Sequence, residues 1–203
     1  MEQIKEDLQH VYHLSVESFN KKEYSAFFRN IRPGIEYLSQ FLIYDFFGNE
    51  DEAEDLINGD TSISKNREDN SYSISSYPAN FKPTGRVFCE LFPKAYFCKH
   101  RDVTSKYATE EKKRIKRGLD SCSAEMCRYY SIASEMGSHA GRSSMDVEVQ
   151  ARSCAAFFMG FLDYISSNRI ASKSAIDFLG KFDKFVFGDV DNTSDYQNQI
   201  DNL

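Results

Sequence analysis

The sequence predicts an all-α fold, an up-and-down bundle of four or five main helices with an irregular insertion. Apolar residues recur at spacings of three and four outside residues 49–107, which is the period of an amphipathic helix. An alternation of apolar and polar residues, typical of a half-buried strand, is suggested only at Ser71–Ser76. The chain has 203 residues, 41% of them apolar, and is therefore long enough to bury one sizeable core.

Two helices are predicted before the insertion. Residues 2–19 carry apolar side chains on one face and charged side chains between them. A second helix, from about Tyr24 to Phe47, has a broad apolar stripe and ends at Gly48. Pro33 is expected to kink this helix or to begin its main segment, because proline has no backbone N–H to donate.

Residues 49–107 break the helical pattern with an acidic run, a stretch rich in Ser and Asn, and three of the four prolines. We interpret this segment as an insertion. Within it, Arg86–Lys99 is apolar enough to pack on the domain as a short helix or a buried loop. Four aromatic residues of this stretch are candidates for holding a protein partner: Phe88, Phe92, Tyr96 and Phe97.

Three more helices are predicted after the insertion. Thr109 is a favourable N-cap for a helix that ends at Gly137. After a short Gly-bounded loop, a second helix opens at Ser143 and runs to about Ser167, and a third covers about Ser174 to Phe187. Residues 1–188 are thus expected to form a single domain, and residues 189–203 a flexible acidic tail.

The charge distribution excludes a protein that binds nucleic acid by bulk electrostatics. The net charge is −6, and the tail contributes four Asp and no Lys or Arg, which leaves 25 basic against 27 acidic residues in 1–188. Any contact with nucleic acid must therefore come from a local patch. The chain begins with charged residues and has no long apolar run, so we expect a cytoplasmic protein without a membrane span.

Cysteine usage predicts free thiols rather than a disulfide framework or a metal centre. There are five cysteines, an odd number, and no CxxC pair. They are Cys89, Cys98, Cys122, Cys127 and Cys154. We expect most of them to be buried, and we expect neither a metal nor a cofactor.

Two features are candidates for function. His139 lies in the Gly-bounded loop between two long helices, where an exposed imidazole can titrate near neutral pH or can cap the preceding helix. The other is a basic cluster near the start of the helix after Thr109, which can contact phosphates or can be ordinary solvated surface. It contains Lys112, Lys113, Arg114, Lys116 and Arg117.

The segment Asn30–Leu38 (NIRPGIEYL), followed by Met136–Gly141 (MGSHAG) and the helix from Ser143, resembles the HEPN superfamily of small helical bundles. The resemblance covers residues 24–48 and 109–168. It implies a protein that dimerises through the helices around the motif. In active members it implies a metal-independent ribonuclease, found in defence, toxin–antitoxin and RNA-processing systems.

The sequence departs from the family pattern at one position. In active members, four to six residues separate an Arg from the motif His, which places the Arg at 132–134, but these positions are Ile, Ala and Ser here. His139 alone carries over from the motif. Arg142, or Arg32 from the second helix, is then the candidate for the missing cation. Arg32 can instead form a surface ion pair with Glu36, four residues later.

Three functional hypotheses remain open. The leading one is a HEPN-like binding or regulatory module, a homodimer with RNA as a possible ligand, in prokaryotic defence or a toxin–antitoxin system. The second is a ribonuclease with His139 at the dimer interface, and the third is a scaffold that binds a protein through the insertion. The dimer is also predicted because Phe157 and Phe158 diverge by about 100° on one helix, so that one core would bury only one of them.

Overall fold

The computed structural model describes residues 1–79, 82–137, 144–182 and 187–188, with the backbone alone for Ser144 and Met145. Over these residues it contains eight helices and one two-stranded sheet, which confirms the predicted all-α class. The helices are α1 (Glu2–Asn20), α2 (Tyr24–Phe47), α3 (Glu50–Asn58), α4 (Arg86–Lys99), α5 (Arg101–Thr104), α6 (Glu110–Met136), α7 (Ser144–Ser167) and α8 (Lys173–Leu179). The strands are β1 (Ser62–Lys65) and β2 (Tyr72–Ser75).

Helix α2 is the centre of the bundle and contacts α1, α3, α4, α6 and α7. Its buried residues are spread around most of its circumference, as in a helix enclosed by other helices. They include Phe27, Phe28, Ile31, Ile35, Leu38, Phe41, Leu42 and Ile43. The helix continues through Pro33 and ends at Gly48, whose φ of 63° is a left-handed conformation that glycine adopts without strain.

Helix α4 is a core helix, which corrects the description of residues 49–107 as an irregular insertion. It packs between α2 and α6 and buries its aromatic residues. Its Phe92 contacts Phe161 of α7 at 5.7 Å between ring centroids, and its Tyr96 contacts Phe46 of α2 at 5.2 Å. The four aromatic residues expected to hold a partner are at most 6% exposed, so the scaffold hypothesis in that form is wrong.

The proline in the middle of α4 frees a carbonyl that α6 satisfies. Pro93 has no N–H for the carbonyl oxygen of Cys89, four residues earlier. The hydroxyl of Ser123 on α6 donates a hydrogen bond of 2.7 Å to that oxygen, and Ser123 is itself buried. The proline that weakened the helical pattern therefore produces a specific contact between two core helices.

A glycine on α6 lets α7 approach closely. The hydroxyl of Tyr164 on α7 lies over Gly118 and donates to the carbonyl oxygen of Ile115 at 3.2 Å. A Cβ at Gly118 would stand 2.1 Å from this hydroxyl oxygen. Tyr164 is only 1% exposed, so its hydroxyl has little room to move away.

Both Phe157 and Phe158 are buried within one chain, at 1% exposure each, which contradicts the argument that one of them needs a second copy. The ring of Phe157 stacks on Tyr129 of α6, with centroids 5.3 Å apart. The ring of Phe158 instead contacts Tyr12 of α1, at 5.6 Å. Helix α7 has partners on two sides, so the divergence of the two side chains is accommodated inside the bundle.

At the edges of the fold, β2 agrees with the alternation noted at Ser71–Ser76, whereas β1 was not predicted. Strands β1 and β2 form an antiparallel hairpin that packs on α4 through Tyr72 and Phe97, with centroids 5.4 Å apart. Helix α8 ends at Leu179 rather than Phe187, and Phe182 is buried beyond its end. The helix start at Ser143 and the tail 189–203 lie outside the described residues.

We predict opposite effects for two glycine substitutions in the middle of helices. Gly118→Ala should lower the free energy of unfolding by about 1–3 kcal/mol, because the new Cβ clashes with Tyr164. Gly34→Ala is the matched control, since its Cβ would meet Val11 at an ordinary 3.4 Å. Alanine's higher helix propensity should leave this variant as stable as the parent or more so, by up to about 1 kcal/mol. Urea denaturation measures both, and equal effects would contradict the close approach.

Ser123→Ala should destabilise the fold by about 1–3 kcal/mol, because it leaves the buried carbonyl oxygen of Cys89 without a donor. Ser131→Ala is the control. The Ser131 hydroxyl donates at 2.9 Å to a carbonyl of its own helix, so its loss should change stability by less than about 0.5 kcal/mol. Thermal unfolding followed by circular dichroism compares the two, and an unchanged Ser123→Ala variant would refute the role of this bond.

Candidate ligand-binding site

Arg32 lies on the exposed surface of α2 and is held by an aromatic residue of α6. Its Nη2 donates a hydrogen bond of 3.2 Å to the hydroxyl of Tyr130, and its guanidinium carbon lies 5.1 Å from the centre of that ring. The ion pair with Glu36 that the spacing allows is not formed among the described residues. Tyr130 thus fixes the orientation of the guanidinium group of Arg32 without pairing its charge, which is left available to an anion.

Arg29, one turn earlier on α2, packs against the C-terminal end of α6. A Cβ at Gly137 would lie 3.1 Å from Cγ of Arg29 and 3.6 Å from its backbone nitrogen, so Arg29 would have to shift by a few tenths of an ångström to admit one. Arg29 is exposed and, within the described part of the chain, forms no ion pair with a carboxylate. We call Arg29, Arg32, Tyr130 and Gly137 the arginine site.

Local structure on α2 explains why this surface is presented. Pro33 cannot donate to the carbonyl oxygen of Arg29, so the helix lacks one backbone hydrogen bond beside the site. Asn30, between the two arginines, donates to the carbonyl oxygen of Leu14 at 3.3 Å and to the hydroxyl of Ser18 at 3.1 Å. These bonds fasten α2 to α1 and leave the arginines on the outer side.

Tyr130 also fixes the start of α4. Its hydroxyl would lie 2.1 Å from a Cβ at Gly85, the N-cap residue of α4, whose φ is 50°. Glycine is required at this position both by the backbone conformation and by the contact. One tyrosine therefore contacts the surface arginine of α2 and the first turn of α4.

His139 and Arg142 lie outside the described residues. The structure describes the chain up to Gly137, two residues before His139, and this end lies against Arg29. Arg29 was not predicted as a site residue. The signal available in the sequence is its spacing of three residues from Arg32, which places the two on one helical face.

The basic cluster is placed at the other end of α6, and three of its five cations are paired. Lys112 contacts Asp102 at 2.5 Å, and its hydrogen bond holds the pKa of Asp102 below the usual value. Lys113 likewise pairs with Glu110 at 2.8 Å and lowers the pKa of that carboxyl. The third pair is Lys116 with Asp120, at 2.5 Å.

Arg114 and Arg117 are the members of the basic cluster that form no ion pair among the described residues, and both are exposed. They do not belong to the arginine site. Arg114 and Tyr130 are sixteen residues apart on α6, which corresponds to about 24 Å along the helix axis and about 160° around it. The basic cluster and the arginine site therefore lie at opposite ends of α6.

The described residues contain no group of three or more His, Cys, Asp or Glu placed to hold a metal ion. Within the same residues, no helix is long and apolar enough to cross a membrane. No family model matches the sequence, and no curated protein or solved structure matches it either.

Proposed function

We propose that this protein is a HEPN-like module that binds RNA phosphates at the arginine site. The observation that carries the proposal is the position of Arg29 and Arg32, two exposed arginines without carboxylate partners among the described residues, beside the end of α6 that leads to His139. Arginine binds phosphate through two parallel N–H donors, and the planar group of Arg32 is fixed here by an aromatic ring.

Local charge rather than overall charge supports an RNA ligand. Residues 1–188 are close to neutral, so long-range attraction is weak and affinity must depend on a few direct contacts. Two arginines on one helical face are separated by about 4.5 Å along the axis, within reach of a single phosphate or of two neighbouring ones. Arg114 and Arg117 are a second phosphate contact for longer RNA.

Binding should depend on both arginines of the site. Arg29→Ala and Arg32→Ala should each weaken the binding of a fluorescent single-stranded RNA by about tenfold, because each removes charge-assisted hydrogen bonds. Each should also reduce the slope of log affinity against log salt by about one contact. Fluorescence anisotropy at salt concentrations from about 50 to about 200 mM measures both quantities, because phosphate contacts weaken strongly over this range.

Arg67→Ala is the matched control for charge. Arg67 is exposed in the loop between β1 and β2, and its removal also lowers the net charge by one. It should leave the affinity within about twofold, as expected for a charge outside the site. Equal weakening by all three variants, or unchanged binding in the Arg29 and Arg32 variants with normal thermal stability, would refute the arginine site.

The second candidate function is a metal-independent ribonuclease, and one observation favours it. Arg29 lies against Gly137, two residues before His139, and so offers a cation where the motif Arg is missing. Cleavage needs a base for the ribose 2′-hydroxyl, an acid for the leaving oxygen and a cation for the charge on the phosphate. In a homodimer, two His139 side chains would share the acid and base roles.

If this second function holds, single-stranded RNA should be cleaved in the presence of EDTA. His139→Ala and Arg29→Ala should each lower the rate by two or more orders of magnitude, since each removes an acid–base group or a charge that stabilises the transition state. Denaturing gels measure the rate, and light scattering at the same concentration tests the dimer. Cleavage that EDTA stops, or that survives in His139→Ala, excludes this mechanism. RNA binding without cleavage leaves the binding module as the function.

A further inference from the structure

The hydroxyl group of Tyr130 accepts a hydrogen bond from Arg32 but donates none to any described residue. The bond comes from Nη2 of Arg32 and is 3.2 Å long. A phenolic hydroxyl can donate as well as accept, whereas a guanidinium group has donors only. The hydrogen of the Tyr130 hydroxyl therefore cannot be directed at Arg32, and within the described part of the chain it has no acceptor.

Two contacts hold this hydroxyl in place. One is with Arg32, whose guanidinium carbon lies 5.1 Å from the centre of the Tyr130 ring. The other is with the backbone of Gly85, where a Cβ would stand 2.1 Å from the hydroxyl oxygen. The ring is half-buried and packs against the hydrophobic core, so the oxygen keeps its position while its hydrogen can turn toward a ligand that approaches Arg32.

Arg32 brings further donors to the same place. Its guanidinium group has several N–H donors, of which Nη2 supplies the bond to Tyr130. Since Nη2 and the hydroxyl oxygen are 3.2 Å apart, the unused N–H groups of Arg32 and the hydrogen of Tyr130 lie close to each other. The bond from Arg32 also makes the hydroxyl a stronger donor, because hydrogen bonds in a chain polarise one another.

A ligand that fits this pair must supply both acceptors and negative charge. Tyr130 and Arg32 both donate, and no carboxylate of the described residues pairs with Arg32. The non-bridging oxygens of a phosphodiester accept hydrogen bonds and carry the negative charge. A neutral carbonyl would satisfy the hydrogen of Tyr130 but would leave the charge of Arg32 unpaired. Phosphate is therefore the chemistry that satisfies both groups.

We propose that Tyr130 is itself a phosphate-binding residue, whose hydroxyl donates to one non-bridging oxygen of a phosphodiester while Arg32 donates to the other. The identity of the ligand as RNA rests on the proposed function. The role of Tyr130 goes further, because the residue contacts the ligand in addition to orienting Arg32. The contact recognises the phosphate and no base, so it should not depend on the RNA sequence.

Tyr130→Phe tests this contact, because it removes the hydroxyl and keeps the ring beside Arg32. We expect the affinity for single-stranded RNA to fall about fivefold, as for the loss of one hydrogen bond. The slope of log affinity against log salt should stay unchanged, because the variant removes no charge. Arg32→Ala should instead reduce this slope by about one contact. Fluorescence anisotropy measures both quantities.

The double variant separates a direct contact from a positioning role. If Tyr130 binds phosphate itself, Tyr130→Phe should still weaken binding at least about twofold in an Arg32→Ala background. A residue that acts only through Arg32 would have no further effect in that background, and its single variant would show the reduced salt slope of Arg32→Ala. Either of these results, or an unchanged affinity of Tyr130→Phe, would overturn the proposal.

Tyr77→Phe is the matched control for the loss of a hydroxyl. Tyr77 is 79% exposed, and its carbonyl oxygen accepts a hydrogen bond of 2.8 Å from Ser62, which places it beside β1 and outside the arginine site. This variant should leave the RNA affinity within about twofold of the parent, as expected for an independent position. The hydrogen bond between Arg32 and Tyr130 is itself exposed, so both Phe variants should retain the thermal stability of the parent.

Inorganic phosphate provides a test on the wild-type protein that needs neither a variant nor RNA. Tyrosine is labelled with carbon-13 at the ring carbon that bears the hydroxyl, and NMR spectra are recorded as phosphate is added. The signal of Tyr130 should shift in step with the side-chain Nε–H signal of Arg32. A Tyr130 signal that stays in place while phosphate moves the Arg32 signal would overturn the proposal.

The two ligands distinguish the phosphate contact from the proposed function. Phosphate that shifts both signals in a protein that binds no RNA refutes the proposed function and leaves the contact of Tyr130 standing. RNA binding that depends on Arg29 and Arg32 but not on the hydroxyl of Tyr130 refutes the contact alone.

Discussion

The burial of α2 on nearly all sides is the constraint on which the rest of the structure depends. Phe41, Leu42 and Ile43 are consecutive and all buried, although their directions differ by about 100° from one to the next, so α2 is stable in water only if other helices enclose it. Helices α1, α4, α6 and α7 do so, and α4 is recruited from the segment between α2 and α6 to complete the enclosure. The small exposed sector that remains carries Arg29 and Arg32, so the candidate site occupies one of the few positions on α2 where a charge can stay solvated.

Helices α2 and α4 each contain a proline that leaves one backbone carbonyl without its helical hydrogen bond. Pro93 frees the carbonyl oxygen of Cys89, which lies in the core, and Ser123 of α6 satisfies it. Pro33 frees the carbonyl oxygen of Arg29, a residue on the surface, where water can replace the missing donor. The carbonyl freed by proline thus forms a contact with α6 in the case of α4. In α2 it lies at the surface, beside the arginine site.

Sequence periodicity predicted the long helices well, because caps and apolar spacing are local signals. The bounds of α1, α2 and α6 follow from the apolar stripe together with Gly48, Thr109 and Gly137. Arg86–Lys99 was expected to pack on the domain as a short helix or a buried loop, and it is a helix; that it packs between α2 and α6 was not predictable, because these partners are distant in the chain. The mistake over Phe157 and Phe158 has the same origin: whether two diverging side chains find partners depends on how many helices surround α7. Of the candidate site, the sequence indicated Arg32, whereas the place of Arg29 in the site depends on its contact with the end of α6.

Tyr130 connects the features that the sequence presented separately. Its ring and hydroxyl hold Arg32 of α2, and the same hydroxyl leaves room only for glycine at Gly85, at the start of α4. The contact between α4 and α6 therefore also supports a surface arginine of α2. Packed helices shift as units rather than deform continuously. A displacement of α4 relative to α6 must consequently be taken up where Gly85 meets Tyr130, the residue that holds Arg32.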